Sequence, residues 1–286
     1  MPVSYFAMAA LELVLLGLLA GVAGTLIVFR GRSFFAIALS HATFPGGVIF
    51  ALAGWNLLIG QALFAALLVL LMGWLSRIPR QGGQVSSGIV LAFGFALGAL
   101  LSSANPGLGV PVDALLVGSP LSVTFVDISA TAAVLLGSLV ALAVFGRRIL
   151  FHTFDPAGFT AAGFRSGPVE FVVVGIIAAS VVVSMPAVGA ILGVAILIAP
   201  AAAARLLAPT VAWVPPIAAA LGVVSGLLGL WASREWNIAA GGSIGLAATA
   251  IYVLALVASA FLRRRSKPLS ATVERKSPAA VITGGE

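Results

Sequence analysis

The most informative stretch of the chain is residues 33–47, which read Ser-Phe-Phe-Ala-Ile-Ala-Leu-Ser-His-Ala-Thr-Phe-Pro-Gly-Gly. His41 lies inside an apolar run that begins just after Arg30 and Arg32 and ends at a Pro-Gly-Gly break, residues 45–47. A titratable side chain in a membrane span is costly, faces a bundle interior or an aqueous cavity, and marks a candidate functional site. The alternative is a neutral imidazole that forms a hydrogen bond with a neighbouring helix.

The composition of the 286 residues predicts a protein embedded in a lipid bilayer. The chain is 61% hydrophobic and only 8% charged, with a mean hydropathy of +1.20, whereas a soluble domain has about 25% charged residues. Because there is no cysteine, a disulfide, a thiol nucleophile and a thiolate metal site are excluded. The net charge of +7 comes from basic residues beside apolar segments, which is typical of membrane orientation rather than nucleic-acid binding.

Nine apolar segments have about the 20 residues that cross a hydrocarbon core, and lipid leaves helices as the way to satisfy their backbone groups. A β-barrel would need strict alternation over about 10 residues, and residues 62–72 do not alternate. The first segment is too long for a signal-peptide core, so we expect a retained span. The segments are residues 8–29, 34–54, 57–76, 85–103, 122–146, 169–185, 187–206, 213–233 and 242–262.

The predicted fold class is all-α, a polytopic membrane helical bundle of eight to nine transmembrane helices. Only Pro186 separates the sixth and seventh segments, so one of them can be a broken or re-entrant helix shielded by protein. Eight full spans with a half-helix fit the sequence as well as nine spans. Residues 1–262 form the transmembrane domain, and the basic tail, residues 263–286, is expected to be disordered because it has little apolar surface.

Arginine clusters predict the orientation of these segments. Every odd-numbered segment ends on arginine, whereas the ends of the even segments are nearly free of basic residues apart from Arg234, which stands beside Glu235. The positive-inside tendency then places the N-terminus outside and the C-terminus in the cytoplasm. The arginines concerned are Arg30, Arg32, Arg77, Arg80, Arg147, Arg148, Arg205, Arg263, Arg264 and Arg265.

Glycine pairs spaced four residues apart predict close helix packing inside the bundle, with a dimer face as the alternative. They are Gly17 with Gly21, Gly94 with Gly98, Gly189 with Gly193, Gly222 with Gly226, and Gly241 with Gly245.

The residues do not suggest an enzyme. Neither lysine, Lys267 or Lys276, ends a phosphate-binding Gly-x-x-x-x-Gly-Lys-Ser/Thr pattern, so ATP-driven transport would need a separate chain. We find no carboxylate pair or Ser/His/Asp set. Only Glu12 and His41 approach the middle of a span, which disfavours a proton-coupled carrier.

The loop between the fifth and sixth segments predicts a short capped helix. Asp155 is a candidate N-cap with Pro156 at the first helical position, and Gly163 is placed to end a helix of about two turns. With Phe159 and Phe164 exposed on the cytoplasmic side, this helix would dock a partner. The alternative is an interfacial helix that rests on lipid headgroups.

Three blocks together resemble the membrane permease subunits of ABC importers for zinc, manganese and iron. The resemblance covers about residues 11–262, and the order and spacing of the blocks make it specific. The blocks are residues 21–34 with Leu39-Ser-His-Ala-Thr-Phe-Pro-Gly46, Phe154-Asp155-Pro156 with Ala161 and Gly163, and residues 187–207 with the core Val-Gly-Ala-Ile-Leu-Gly-Val-Ala-Ile-Leu-Ile-Ala-Pro.

This resemblance implies a cell inner-membrane permease that is homodimeric or paired, with two cytoplasmic ABC ATPase subunits and an extracytoplasmic metal-binding protein. No cofactor would be held permanently; the divalent metal, zinc or manganese, would be the transported species. The residues implied for the pathway are His41 as metal ligand with Ser40, Pro45 and Gly46, and those for ATPase coupling are Asp155, Pro156, Phe159, Ala161 and Gly163.

The chain departs from the family pattern at Ile37, where the family carries an aspartate four residues before the histidine. Such a pair would share one helix face and bind a divalent ion between its two side chains. Because isoleucine has no carboxylate, His41 must act with other donors. In a dimer, two His41 side chains could meet at the axis. Imidazole suits zinc better than calcium or magnesium. Ala157 also stands where the family often has a glutamate.

The alternative functions are an importer of a metal chelate or other small ligand, and an ion-gradient-driven carrier without an ATPase.

Overall fold

The computed structural model describes residues 5–76, 78–79, 82–105 and 118–265, apart from the side chains of Ile191 and residues 262–265. Within these ranges the regular elements are helices, which confirms the predicted fold class. Short π and 3-10 turns occupy Ala20–Gly24, Pro120–Ser122 and Val211–Trp213. The α-helices are α1 (Tyr5–Leu19), α2 (Thr25–Phe29), α3 (Ser33–Ala42), α4 (Phe44–Leu52), α5 (Leu57–Leu75), α6 (Gly83–Ala104), α7 (Phe125–Phe154), α8 (Pro156–Ala161), α9 (Ser166–Leu207), α10 (Val214–Trp236) and α11 (Ala240–Arg265).

Eight of the described helical segments are long and apolar enough to cross a membrane, and Leu192–Leu207 is a shorter apolar helix. The interpretation as eight full spans with a half-helix is therefore the one that fits. The spans are Tyr5–Phe29, Ser33–Leu52, Leu57–Leu75, Gly83–Ala104, Phe125–Phe154, Ser166–Ala190, Val211–Trp236 and Ala240–Phe261.

Three sequence-based expectations fall wholly or partly outside the described residues. Arg77 and Arg80 lie outside them, and so does the tail from residue 266 onward. Helix α11 continues to Arg265, three residues into the predicted tail.

The break in α9 lies at Gly189, not at Pro186 as the sequence suggested. Gly189 has φ 81° and ψ 169°, a backbone conformation open to glycine because it has no Cβ. Pro186 keeps a helical φ, which its ring favours, and remains inside the first arm, Ser166–Ala190. The second arm, Leu192–Leu207, follows this break.

Contacts between helix termini define two ends of the bundle. At the basic end, the Arg30 side chain meets Glu170 at the start of α9, and Arg205 at its finish covers the Phe29 ring. At the opposite end, Ser119 donates a backbone hydrogen bond to Pro186, and Arg234 covers the ring of Phe6. The first arm of α9 therefore runs from the basic end to the opposite end, and the second arm returns.

Members of three of the predicted glycine pairs, Gly17 with Gly21, Gly94 and Gly222, lie where the backbones of two helices approach each other closely. A Cβ added to Gly222 of α10 would lie 2.9 Å from the carbonyl oxygen of Gly17 in α1. A Cβ on Gly94 of α6 would lie 2.5 Å from the Cα of Ala42 in α3. Both distances are shorter than a van der Waals contact, so these glycines set the helix separation within the protomer.

We expect Gly94→Ala to destabilise the protein because the added methyl group overlaps the backbone of the helix that carries His41. Overpacking of this kind costs about 1–3 kcal/mol. Gly137→Ala in α7 is the matched control, since a Cβ there meets nothing within 4 Å. Thermal unfolding in detergent should show a lower melting temperature for Gly94→Ala only; equal melting temperatures would contradict the packing described.

Candidate functional site

Helix α3 carries the candidate pathway residues and begins at a tight turn. Gly31 has φ 62°, and the amides of Gly31 and Arg32 donate to the carbonyls of Val28 (3.4 Å) and Ile27 (2.9 Å). This is the Schellman pattern, in which a glycine in the left-handed region closes the end of a helix. The turn therefore fixes the direction of α3 relative to the first span.

A one-residue break at Thr43 separates α3 from α4. The Thr43 hydroxyl donates to the Ser40 carbonyl (3.1 Å) and lies 3.5 Å from the Met185 sulfur, near the break in α9. Pro45 has no N–H with which to bond the His41 carbonyl four residues earlier. The imidazole and the carbonyl of His41 are thus both candidate donors to a passing ion.

The predicted pathway residues divide between the interior and the accessible face of the protomer. Ser40, Pro45 and Gly46 are buried, and the Ser40 hydroxyl donates to the carbonyl of Ile37 (2.9 Å). His41 is half-buried and Ile37 is 38% exposed. Within one protomer, therefore, His41 and Ile37 are accessible while the other three residues support them.

Ile37 borders a groove of about 440 Å³ between α3, the second arm of α9, and α11. Residues four apart share one helix face, so His41 lies along the same face as Ile37. The groove is mostly apolar, and its other lining residues are Val194, Ala195, Ile198, Ala199, Ala202, Thr249 and Tyr252.

The described residues of the chain do not form a cluster of metal-binding side chains. No group of three or more histidine, cysteine, aspartate or glutamate side chains is close enough there to hold an ion. Position 37, on the same helix face as His41, is an isoleucine and offers no carboxylate to neutralise a divalent charge. The described residues therefore offer His41 no second histidine or carboxylate ligand arranged with it as a three-ligand cluster.

The second titratable group within a span, Glu12, is fully buried in the protomer. The Thr131 hydroxyl of α7 donates to Glu12 Oε1 (2.6 Å), while Oε2 has no hydrogen-bond partner among the described residues. Glu12 therefore packs between α1 and α7 rather than on the face that carries His41 and Ile37.

The short helix α8 has the predicted caps. The Asp155 side chain accepts a hydrogen bond from the Gly158 amide (2.7 Å), and Pro156 occupies the first turn. Gly163 has φ 81°, and the Phe164 amide donates to the Phe159 carbonyl (3.2 Å). Together these bonds define a six-residue helix held between two sharp turns.

The expectation that Phe159 is exposed is wrong. Its side chain is 1% exposed, and its ring lies 5.1 Å from His152, 5.5 Å from Phe151 and 5.1 Å from Phe164, centroid to centroid. Phe159 is buried because the aromatic side chains at the end of α7 form an apolar surface on which its ring packs. Phe164 remains 43% exposed, and the open face of α8 consists of Pro156, Ala157, Thr160 and Ala161.

Sequence reasoning missed Glu170 and His152, which lie at the basic end with Arg30. Arg30 is bonded to both side chains, which are 140 and 122 residues away in sequence, so no local spacing could have indicated the contact. Burial lowers the pKa of Arg30 below its ordinary value, and the Glu170 carboxylate opposes that change.

Comparisons with known proteins agree with this architecture. Residues 3–259 match the family described as the ABC 3 transport family. The manganese transport system membrane protein MntC of Halalkalibacterium halodurans is 32% identical over 94% of this chain and 95% of its own length. The zinc transport system membrane protein TroC of Treponema pallidum is 33% identical over 77% of each chain.

Solved structures share the fold. PsaBC from Streptococcus pneumoniae, in complex with Fab, superposes with a TM-score of 0.80 at 26% identity, over 92% of this chain and 96% of that one. An inward-facing putative metal-chelate type ABC transporter superposes with a TM-score of 0.64 at 17% identity, over 88% and 85%, which speaks for the fold alone. The family match covers residues 3–259, which include nearly all of the helices described above, and the chain therefore belongs to the ABC 3 transport family.

Proposed function

We propose that this chain is the membrane-spanning permease subunit of an ATP-binding-cassette importer that moves manganese or zinc into the cytoplasm. The family match over residues 3–259 carries the proposal. The cargo class comes from relatives named as manganese and zinc transport proteins, which align over most of this chain.

The permease would work with separate partner chains. ATP would be hydrolysed by cytoplasmic ABC ATPase subunits, because the sequence has no phosphate-binding loop of its own. An extracytoplasmic metal-binding protein would deliver the ion at the opposite end. The basic end would face the cytoplasm, as arginine-rich ends generally do, and the N-terminus would lie outside.

A second copy of the chain would complete the pathway. His41 lies on the same helix face as the exposed Ile37, and the described part of one protomer holds no cluster of metal-binding side chains. A homodimer would bring two His41 imidazoles together, and neutral imidazole is a good ligand for zinc and other late transition metals.

Helix α8 would be the element that the ATPase grips. Its open face consists of small residues and one proline, and Phe159 beneath it packs against the end of α7. Closure of the ATPase subunits on ATP would displace α8 and, through α7, switch the permease between outward- and inward-facing states.

A metal chelate or another small ligand is the second candidate cargo. The observation that favours it is the apolar groove of about 440 Å³ beside Ile37. Without a carboxylate at position 37, this surface suits a ligand that carries its own polar groups around the metal.

ATP-dependent uptake tests both cargo classes. With the cognate ATPase and binding protein reconstituted in vesicles, we expect radiolabelled manganese or zinc to accumulate only when ATP is supplied. Preference for the chelated metal over the free ion would support the second candidate. Uptake by the permease without any ATPase would contradict the proposal.

Replacing His41 with Ala should lower uptake by about tenfold or more, because an imidazole donor is lost from the pathway. Ile37→Asp should raise the affinity for the free ion, since it places a carboxylate on the face of His41. Leu139→Ala on the exposed face of α7 is the control. Unchanged transport in both site variants, with complexes that still assemble, would place the site elsewhere.

Thiol labelling tests the orientation directly because the chain contains no cysteine. A single Ala157→Cys in α8 should react with a membrane-impermeant maleimide only after the cells are permeabilised. Ser122→Cys at the opposite end should react in intact cells. Labelling of position 157 from outside would overturn both the orientation and the docking role of α8.

A further inference from the structure

The turn that precedes α3 places two arginine side chains beside the end of α7 and the start of α9. Arg30 ends α2 and Arg32 precedes Ser33, the first residue of α3. The Schellman bonds around Gly31 hold the backbone of this turn. These two side chains therefore belong to the segment that leads directly into α3, the helix that carries His41.

Arg30 makes three contacts with its guanidinium group. Nη1 lies 3.0 Å from His152 Nδ1 and donates to Glu170 Oε2 (3.0 Å), and Nη2 reaches the Ile149 carbonyl (3.4 Å). Arg32 pairs with the other oxygen of Glu170. One residue of the turn thus bonds the C-terminal end of α7 and the start of α9 together.

His152 connects this ion pair to α8. Arginine is always protonated and can only donate, so His152 Nδ1 accepts, and a neutral ring carries its proton on Nε2. The same ring packs edge-to-face on Phe159, with centroids 5.1 Å apart and planes at 78°. Phe159 is the buried anchor of α8, so His152 lies between α8 and Arg30.

These five side chains, Arg30, Arg32, His152, Phe159 and Glu170, form what we call the inner cluster. Its exposure is uneven: the side chain of Arg30 is 8% exposed, whereas those of Arg32 and Glu170 are 35% and 31% exposed. A cavity of about 380 Å³ borders both arginines and Glu170 on the side of α5 and α6. Arg32 therefore has room to separate from Glu170, while Arg30 stays held.

Stability alone is a weak explanation for such a cluster. A buried ion pair often contributes little net stability, because desolvation of the charges offsets their attraction. Phe29, beside Arg30, already packs on Phe154 at the end of α7 (5.7 Å between centroids), so α2 and α7 have an apolar contact as well. The polar contacts add a continuous chain of side-chain contacts that leads from α8 through His152 to Arg30 in the turn before α3.

We propose that Arg30, His152 and Glu170 couple α8 to α3, so that displacement of α8 by the ATPase shifts the helix that carries His41. This inference rests on the proposed function. The three residues are positioning residues, since they act through α3 and do not touch the pathway face. Two discrete arrangements of the Arg32–Glu170 contact, closed and open onto the cavity, would accompany the two states of the permease.

The test measures coupling rather than uptake alone. In proteoliposomes that contain the whole complex, manganese transported per ATP hydrolysed should fall by about tenfold in Glu170→Gln, with the complex assembled and ATP hydrolysis retained. Glu235→Gln, an exposed glutamate at the opposite end, is the matched control and should leave the ratio unchanged. His152→Phe keeps a ring against Phe159 but removes the acceptor for Arg30, and should also lower the ratio.

A double variant covers the case in which Glu170→Gln leaves the Arg30 charge buried without a partner and fails to fold. Arg30→Met with Glu170→Gln removes both charges together, and should assemble with a low ratio. A ratio equal to the wild type in the assembled variants would overturn the inference, as would parallel loss of assembly in all of them. Absence of ATP-driven uptake by the wild-type complex would instead contradict the proposed function, and this inference with it.

Discussion

A bilayer offers the peptide backbone no hydrogen-bonding partner, so an apolar chain can leave regular helix only where other protein shields it. Two departures near the candidate site obey this constraint. The break at Thr43 and the turn at Gly189 both lie among buried residues. They also meet, because the Thr43 hydroxyl approaches the sulfur of Met185, four residues before Gly189. The interruption in the helix of His41 is thus supported by the interruption in α9.

This arrangement joins α3 to the first arm of α9 at both ends of α3. At the basic end, Glu170 of the first arm pairs with Arg30 and Arg32. At the other end of α3, the Thr43 hydroxyl lies 3.5 Å from the Met185 sulfur, and between these points Ile37 lines the groove that Val194 and Ala195 of the second arm also line. A change in the bend of α9 would therefore move the His41 face as a unit, which is how packed interiors convert small shifts into discrete states.

The burial of Phe159 connects α8 to the end of α7. An exposed aromatic residue would have made the short helix an adhesive surface for a partner. A buried one makes α8 an extension of α7, because the ring sits among Phe151, His152 and Phe164. The two caps, at Asp155 and Gly163, bound the helix at both ends, so under the proposed function a displacement of its open face would be passed to α7.

The features that could be predicted from the sequence are those that depend on composition and local backbone chemistry. Hydrophobic length predicted the spans, the arginine pattern predicted which segment ends share one side of the bundle, and Asp155, Pro156 and Gly163 predicted α8 and its caps. These signals are local, since a span, a cap or a left-handed glycine depends on a few neighbouring residues.

The features that could not be predicted depend on contacts between residues far apart in the sequence. Which of Pro186 and Gly189 breaks α9 depends on how the two arms pack, and the burial of Phe159 depends on the aromatic surface of α7. The pairing of Arg30 with Glu170 joins residues 140 positions apart, and only the folded bundle brings their charges together. Electrostatic and packing energies depend on distances in space. The charged residues can therefore be identified in the sequence, but their partners are known only from the folded structure.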